Sequence, residues 1–97
     1  MNTANTKKLF DDFTRLFRGR DLPITQNLMQ FGFECGDGWF TLVYKLSADI
    51  IEHAKATDLE PIAVQVKEKN GGLRFYVHDA DEHILDLCDE ADRKSVV

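Results

Sequence analysis

Two prolines, six glycines and two cysteines are all that this 97-residue chain carries of the residue types that break, bend or staple a backbone. So few breakers exclude a collagen-like or Pro/Gly-rich disordered sequence. Cys35 and Cys88 lie far apart and cannot form the dense disulfide framework of a small secreted domain; they are expected to be two thiols near the core. Long apolar runs are missing as well. None approaches the ~20 residues that a membrane-spanning helix needs. The polar opening Met1-Asn2-Thr3-Ala4-Asn5-Thr6 does not read as an export signal, so the expected setting is cytoplasmic, with no membrane partner. Nor is there a surplus of positive charge. Twelve Lys and Arg against seventeen Asp and Glu leave a net charge of −5, which argues against a uniformly basic nucleic-acid binder and favours basic partners.

What is present is enough for one globular core. Hydrophobic residues make up 43% of the chain and include seven Phe, which is too apolar for a disordered segment. The length fits one domain, residues 1–97, with no room for a second independent core. Charge is uneven along it. Residues 1–20 hold Lys7, Lys8, Arg15, Arg18 and Arg20 against Asp11 and Asp12, whereas residues 79–97 hold seven acids against Arg93 and Lys94.

Periodicity places the elements. Leu9, Phe10, Phe13, Leu16 and Phe17 form one helical stripe, predicting a helix over 6–18 that Gly19 stops. Residues 21–36 show no clean period, and Pro23 forbids a simple helix; a short helix or turn followed by extended chain is expected. Asp37 can cap a second helix, because Trp39, Leu42, Val43, Leu46, Ile50 and Ala54 make another apolar stripe over 39–56. Ile62, Val64 and Val66 then alternate with polar or small residues, as do Leu73, Phe75 and Val77, around the turn signal Asn70-Gly71-Gly72. From Asp81 the pattern is helical again. The expected class is α+β: helices packed on a two-stranded antiparallel β-hairpin, in the order helix, irregular segment, helix, strand, strand, helix. Trp39, Leu42, Leu46, Phe13, Phe17, Val64 and Phe75 are expected in a common core.

Catalytic and metal chemistry find little to work with. His53, His78 and His83 have no spacing that forces them onto a nucleophile, and surface positions account for them. Cys35, Cys88, His78 and His83 are zinc-ligand types, but no close Cys or His pair nucleates a site. Gly36-Asp37-Gly38 lacks the glycine spacing and lysine of a phosphate loop. No enzyme activity, cofactor or metal is expected.

Two charge patterns remain. Lys67, Lys69 and Arg74, with Tyr76, could make the hairpin's outer face a nucleic-acid ribbon, although such residues are more often a solvated sheet face and so few cations are thin for useful affinity at physiological salt. The acidic tail is the stronger signal. Asp79, Asp81, Glu82 and Asp86 have no lysine or arginine at helical spacing, so they are the expected centre of a partner-binding face. Asp89, Glu90 and Asp92 are its expected rim, the first two facing Arg93 and Lys94 at i+4. Carboxylates one turn apart climb ~6 Å, the order of the spacing between backbone phosphates. Acids also favour a first helical turn for local reasons.

The stretches Gly32-Phe33-Glu34-Cys35-Gly36-Asp37-Gly38-Trp39 and Val66-Lys67-Glu68-Lys69-Asn70-Gly71-Gly72-Leu73-Arg74-Phe75-Tyr76 resemble a family of small phage and prophage proteins over about residues 31–95. Asn70 departs from the aromatic that many relatives carry there, and the cysteine-pair tail of those relatives has no counterpart in this sequence, so no role of that tail carries over. Length, acidity and this core also resemble prophage-encoded anti-CRISPR proteins directed at the type I-F surveillance complex. That likeness implies a non-enzymatic inhibitor whose protein partner is the DNA-binding surface of a CRISPR-Cas complex, occupied in place of target DNA. It assigns no particular acidic residue to a contact.

Overall fold

Asn2 opens the first helix by accepting the Asn5 amide on its side-chain oxygen at 2.8 Å. Helix α1 (Thr3–Asp12) comes next in the computed structural model, which describes residues 1–95. The helix expected over 6–18 therefore starts earlier and stops sooner. Phe13 departs to φ −127° and ψ 47°, while the Thr14 hydroxyl turns back on the carbonyls of Phe10 and Asp11, each at 3.1 Å. Leu16 and Phe17 still reach the core, carried there by the turns after α1. The apolar stripe reports their burial correctly and their backbone wrongly.

Residues 21–36 contain the principal departure from expectation. Short 3-10 turns at Arg18–Asp21 and Met29–Phe31 lead into strand β1 (Phe33–Glu34). This strand pairs in parallel with β2 (Ile62–Lys69), Phe33 opposite Val66 and Glu34 opposite Lys67. Helix α2 (Phe40–Lys55) makes the long crossover that parallel pairing demands. Strand β3 (Gly72–His78) returns antiparallel to β2, and helix α3 (Glu82–Ser95) closes the described chain. The two-stranded hairpin is thus corrected to a three-stranded mixed sheet of order β1-β2-β3, with three helices in the sequence helix, strand, helix, strand, strand, helix. Two residues are too few to show a period of two, so β1 left no alternation to read.

The hairpin turn itself is as its residues require. Asn70 and Gly71 both take positive φ, 54° and 80°, the geometry that matches the twist of the flanking strands. Within β2, however, the register slips between Ala63 and Gln65. This bulge changes which side chains face inward: Ala63 and Val66 are fully buried, while Ile62 and Val64 are only half-buried. Val64 therefore does not join the core, contrary to expectation. Its carbonyl instead accepts the Leu28 amide at 2.9 Å, tying the irregular segment to the sheet.

Phe17, Leu46 and Phe75 lie in the core with Leu9, Val43, Ile50 and Ile84; Phe13, Trp39 and Leu42 pack against its margin. Phe17 and Phe33 meet edge to face, their ring centres 5.0 Å apart. Asp37 does not cap α2: its carboxylate accepts the Asn2 amide instead. Cys35 and Cys88 are buried free thiols. Among the described residues no helix is long and apolar enough to cross a membrane.

Candidate partner-binding site

The basic front of the chain is largely consumed inside the molecule. Lys7 pairs with Asp11, and Lys8 with Asp12 at 2.9 Å. Asp12 also accepts the Tyr44 hydroxyl at 2.6 Å, and these two bonds hold its carboxyl below the ordinary carboxylate value. Arg15 pairs with Glu60, and Arg18 donates to the Glu60 and Pro61 carbonyls. The Arg20 guanidinium lies 4.5 Å from the centre of the Phe10 ring.

The same internal pairing divides the seven acids expected at the binding face. Asp79 sits in the tight turn after β3 with φ 54°, and its carboxylate accepts the Glu60 amide at 2.6 Å. Asp81 caps α3: one oxygen accepts the Ile84 amide at 3.0 Å, the other lies 2.7 Å from His53 Nε2. The His53 bond, then the Ile84 amide, hold its carboxyl below its ordinary value of 3.8. Glu90 pairs with Lys94 at 3.0 Å, which lowers its carboxyl as well. Asp92, half-buried, binds Arg74 at 2.6 Å. Glu82, Asp86 and Asp89 remain, exposed and without an ion-pair or hydrogen-bond partner among the described residues.

These three form one face. At 3.6 residues per turn, positions 82, 86 and 89 fall within about 60° of arc around the α3 axis. Their α3 neighbours Ile84, Cys88 and Ala91 point into the core, which fixes the helix rotation and turns the three carboxylates outward. Arg93 stands at the far end of the same face, and no Asp89–Arg93 pair forms among the described residues. The structure brings together Glu82, Asp86 and Asp89, and gives Asp79, Asp81, Glu90 and Asp92 intramolecular tasks. Inspecting only i+4 neighbours reveals Lys94 beside Glu90; it cannot reveal His53, the Glu60 amide or Arg74, all remote in sequence.

The basic ribbon on the hairpin is thinned by the same contact, because Arg74 is held by Asp92 and leaves Lys67 and Lys69 as its remaining cations. One cluster was not visible in the sequence at all. The His53 and His83 rings stack with centres 4.2 Å apart where α2 meets the start of α3, beside Asp81. Burial pushes the Cys88 thiol up to about 12, so it stays protonated at neutral pH. No three His, Cys, Asp or Glu side chains among the described residues are grouped to hold a metal ion. No protein-family model, curated protein or solved structure matches this chain.

Proposed function

We propose that this protein is a phage- or prophage-encoded inhibitor that binds the DNA-recognising surface of a type I-F CRISPR-Cas surveillance complex through the outer face of α3. The observation that carries the reading is the alignment of Glu82, Asp86 and Asp89 on one exposed helix face with no intramolecular partner among the described residues. Unpaired carboxylates on a rigid helix suit lysines and arginines that otherwise grip a DNA backbone. The resemblance of the two sequence motifs to small phage proteins supplies the biological setting. Binding, not chemistry, is the activity, and no cofactor takes part.

The test is competition. Purified surveillance complex is incubated with this protein and then offered labelled target duplex. The complex should retain the protein and lose the duplex, with the loss relieved as salt rises, because charged contacts are screened. The protein alone should not shift the duplex. A complex that binds duplex normally and fails to retain the protein would overturn the assignment.

A further inference from the structure

Strand β3 is the outer strand of the sheet, and part of its free edge is unused. The Leu73 amide donates to the Ser95 hydroxyl at 2.8 Å, so Leu73 directs its backbone away from β2. Period two gives Phe75 and Val77 the same outward orientation. Beyond the β2–β3 ladder, no hydrogen bond engages their backbone N–H and C=O groups among the described residues. Beside this edge runs a groove lined on the helix side by Leu85, Cys88, Asp89 and Asp92. One end is closed by Ser95 and the Arg74–Asp92 pair.

Free strand edges are commonly protected by a proline, a bulge or an unpaired charge. Here the bulge lies in β2, Arg74 is neutralised by Asp92, and the exposed large apolar side chains flanking the open stretch are Tyr76, 43% accessible, and Leu85, 49%. Asp89 adds an unpaired carboxylate to the wall.

We infer that the β3 edge and the flank of α3 accept an extended basic segment of a partner protein as a fourth strand. Phe75 and Val77 supply backbone hydrogen bonds, Leu85 packs against the apolar side chains that face α3, Tyr76 flanks the alternate side chains on the other face, and Asp89 receives a lysine or arginine. Charge decides between occupants. A second copy of this chain, paired through β3 about a two-fold axis, would set α3 beside α3 and bring two sets of Glu82, Asp86 and Asp89 together, with only the two Arg93 side chains on those faces to offset them. The inference shares Asp89 with the acidic-face reading and otherwise stands apart from it.

The probe is a synthetic peptide, acetyl-Lys-Val-Lys-Val-Lys-Val-Lys-amide, titrated into the isotopically labelled protein, with the glutamate-for-lysine peptide as comparison. The lysine peptide should shift the Phe75 and Val77 amide signals and slow their exchange with solvent by about tenfold. Asp89→Lys should weaken its binding by about tenfold or more. Val77→Pro should abolish it while circular dichroism still shows the fold, because that amide does not face β2. Unchanged Phe75 and Val77 amides, equal binding of the glutamate peptide, or self-association that alters these amides on concentration without peptide would each overturn the inference. Loss of complex binding in a Glu82→Lys/Asp86→Lys variant reports on the acidic face alone. Amide exchange at Phe75 and Val77 reports on the edge alone, so either reading can fail without the other.

Discussion

Arg74 and Asp92 meet at 2.6 Å, joining the hairpin's arginine to the last turn of α3. The pair removes one cation from the sheet and one acid from the helix, and so separates the two surfaces that competed as binding sites. If the proposed function holds, Arg74→Ala should leave competition with duplex intact and cost about 1 kcal/mol or less of stability, as half-exposed ion pairs do. Urea unfolding and the duplex competition assay measure the two effects. An Arg74→Ala variant that folds normally but no longer inhibits would return the function to the hairpin.

The acidic face makes the stronger demand. Reversing both charges in Glu82→Lys/Asp86→Lys replaces attraction with repulsion and should cost about 2 to 4 kcal/mol of binding, or roughly 30- to 1000-fold. Asp49→Lys/Glu52→Lys is the comparison, because it changes net charge by the same amount and Lys45 already holds Asp49 at 2.9 Å within α2. Surface plasmon resonance on the immobilised complex can compare them. Equal losses in both variants would mean that net charge, not the α3 face, governs affinity.

Asp81 has a structural task that pH can expose. Its folded carboxyl titrates below 3.8, so its ionised form favours the fold. That contribution is fully present above the unfolded value and is lost as pH falls through the lower folded value. Asp81→Asn keeps an N-cap oxygen but weakens the His53 contact; Asp81→Ala removes both. The melting temperature at pH 7 should fall in the order wild type, Asn, Ala, and the gap between wild type and Asn should close as pH falls through the lowered folded value of Asp81. A gap that persists unchanged in acid would rule out the carboxylate as its source.

Asn27 is the buried polar hinge of the irregular segment. Only 2% exposed, it donates to the Ala63 carbonyl at 2.9 Å and accepts the Met29 amide at 2.8 Å. Asn27→Ala orphans both groups and should cost about 2 to 4 kcal/mol. A side chain on Gly19 would overlap the Asn27 amide, so Gly19→Ala should destabilise by a comparable mechanism. Denaturant midpoints within experimental error of wild type would show that this segment contributes nothing to global stability.

Long, regular elements were legible from residue pattern. The second and third helices, both hairpin strands and the Asn70-Gly71 turn lie where periodicity and turn chemistry place them. Three features escaped for separate physical reasons. Phe33 and Glu34 are stabilised by a partner strand remote in sequence, which leaves no local mark. The bulge at Val64 exchanges inward and outward positions, so Ala63 is buried where Val64 was expected. Thr14 ends α1 through its hydroxyl although the apolar stripe continues past it. The acidic surface was legible as a cluster but not in detail, since the bonds that occupy Asp79, Asp81 and Asp92 come from distant residues.

The parallel pairing of Phe33 with Val66 has a kinetic corollary. Strands β2 and β3 meet through a two-residue turn and can zip locally, whereas β1 must wait until the whole of α2 has formed and docked. Pulsed deuterium labelling during refolding should protect the β2–β3 ladder before the Leu28 amide, whose acceptor is the Val64 carbonyl. Simultaneous protection of the two would indicate a single nucleus. Run in reverse, that order predicts that β1 detaches while the hairpin persists, so that the rings of Phe17 and Phe33 should meet solvent before the rest of the molecule unravels.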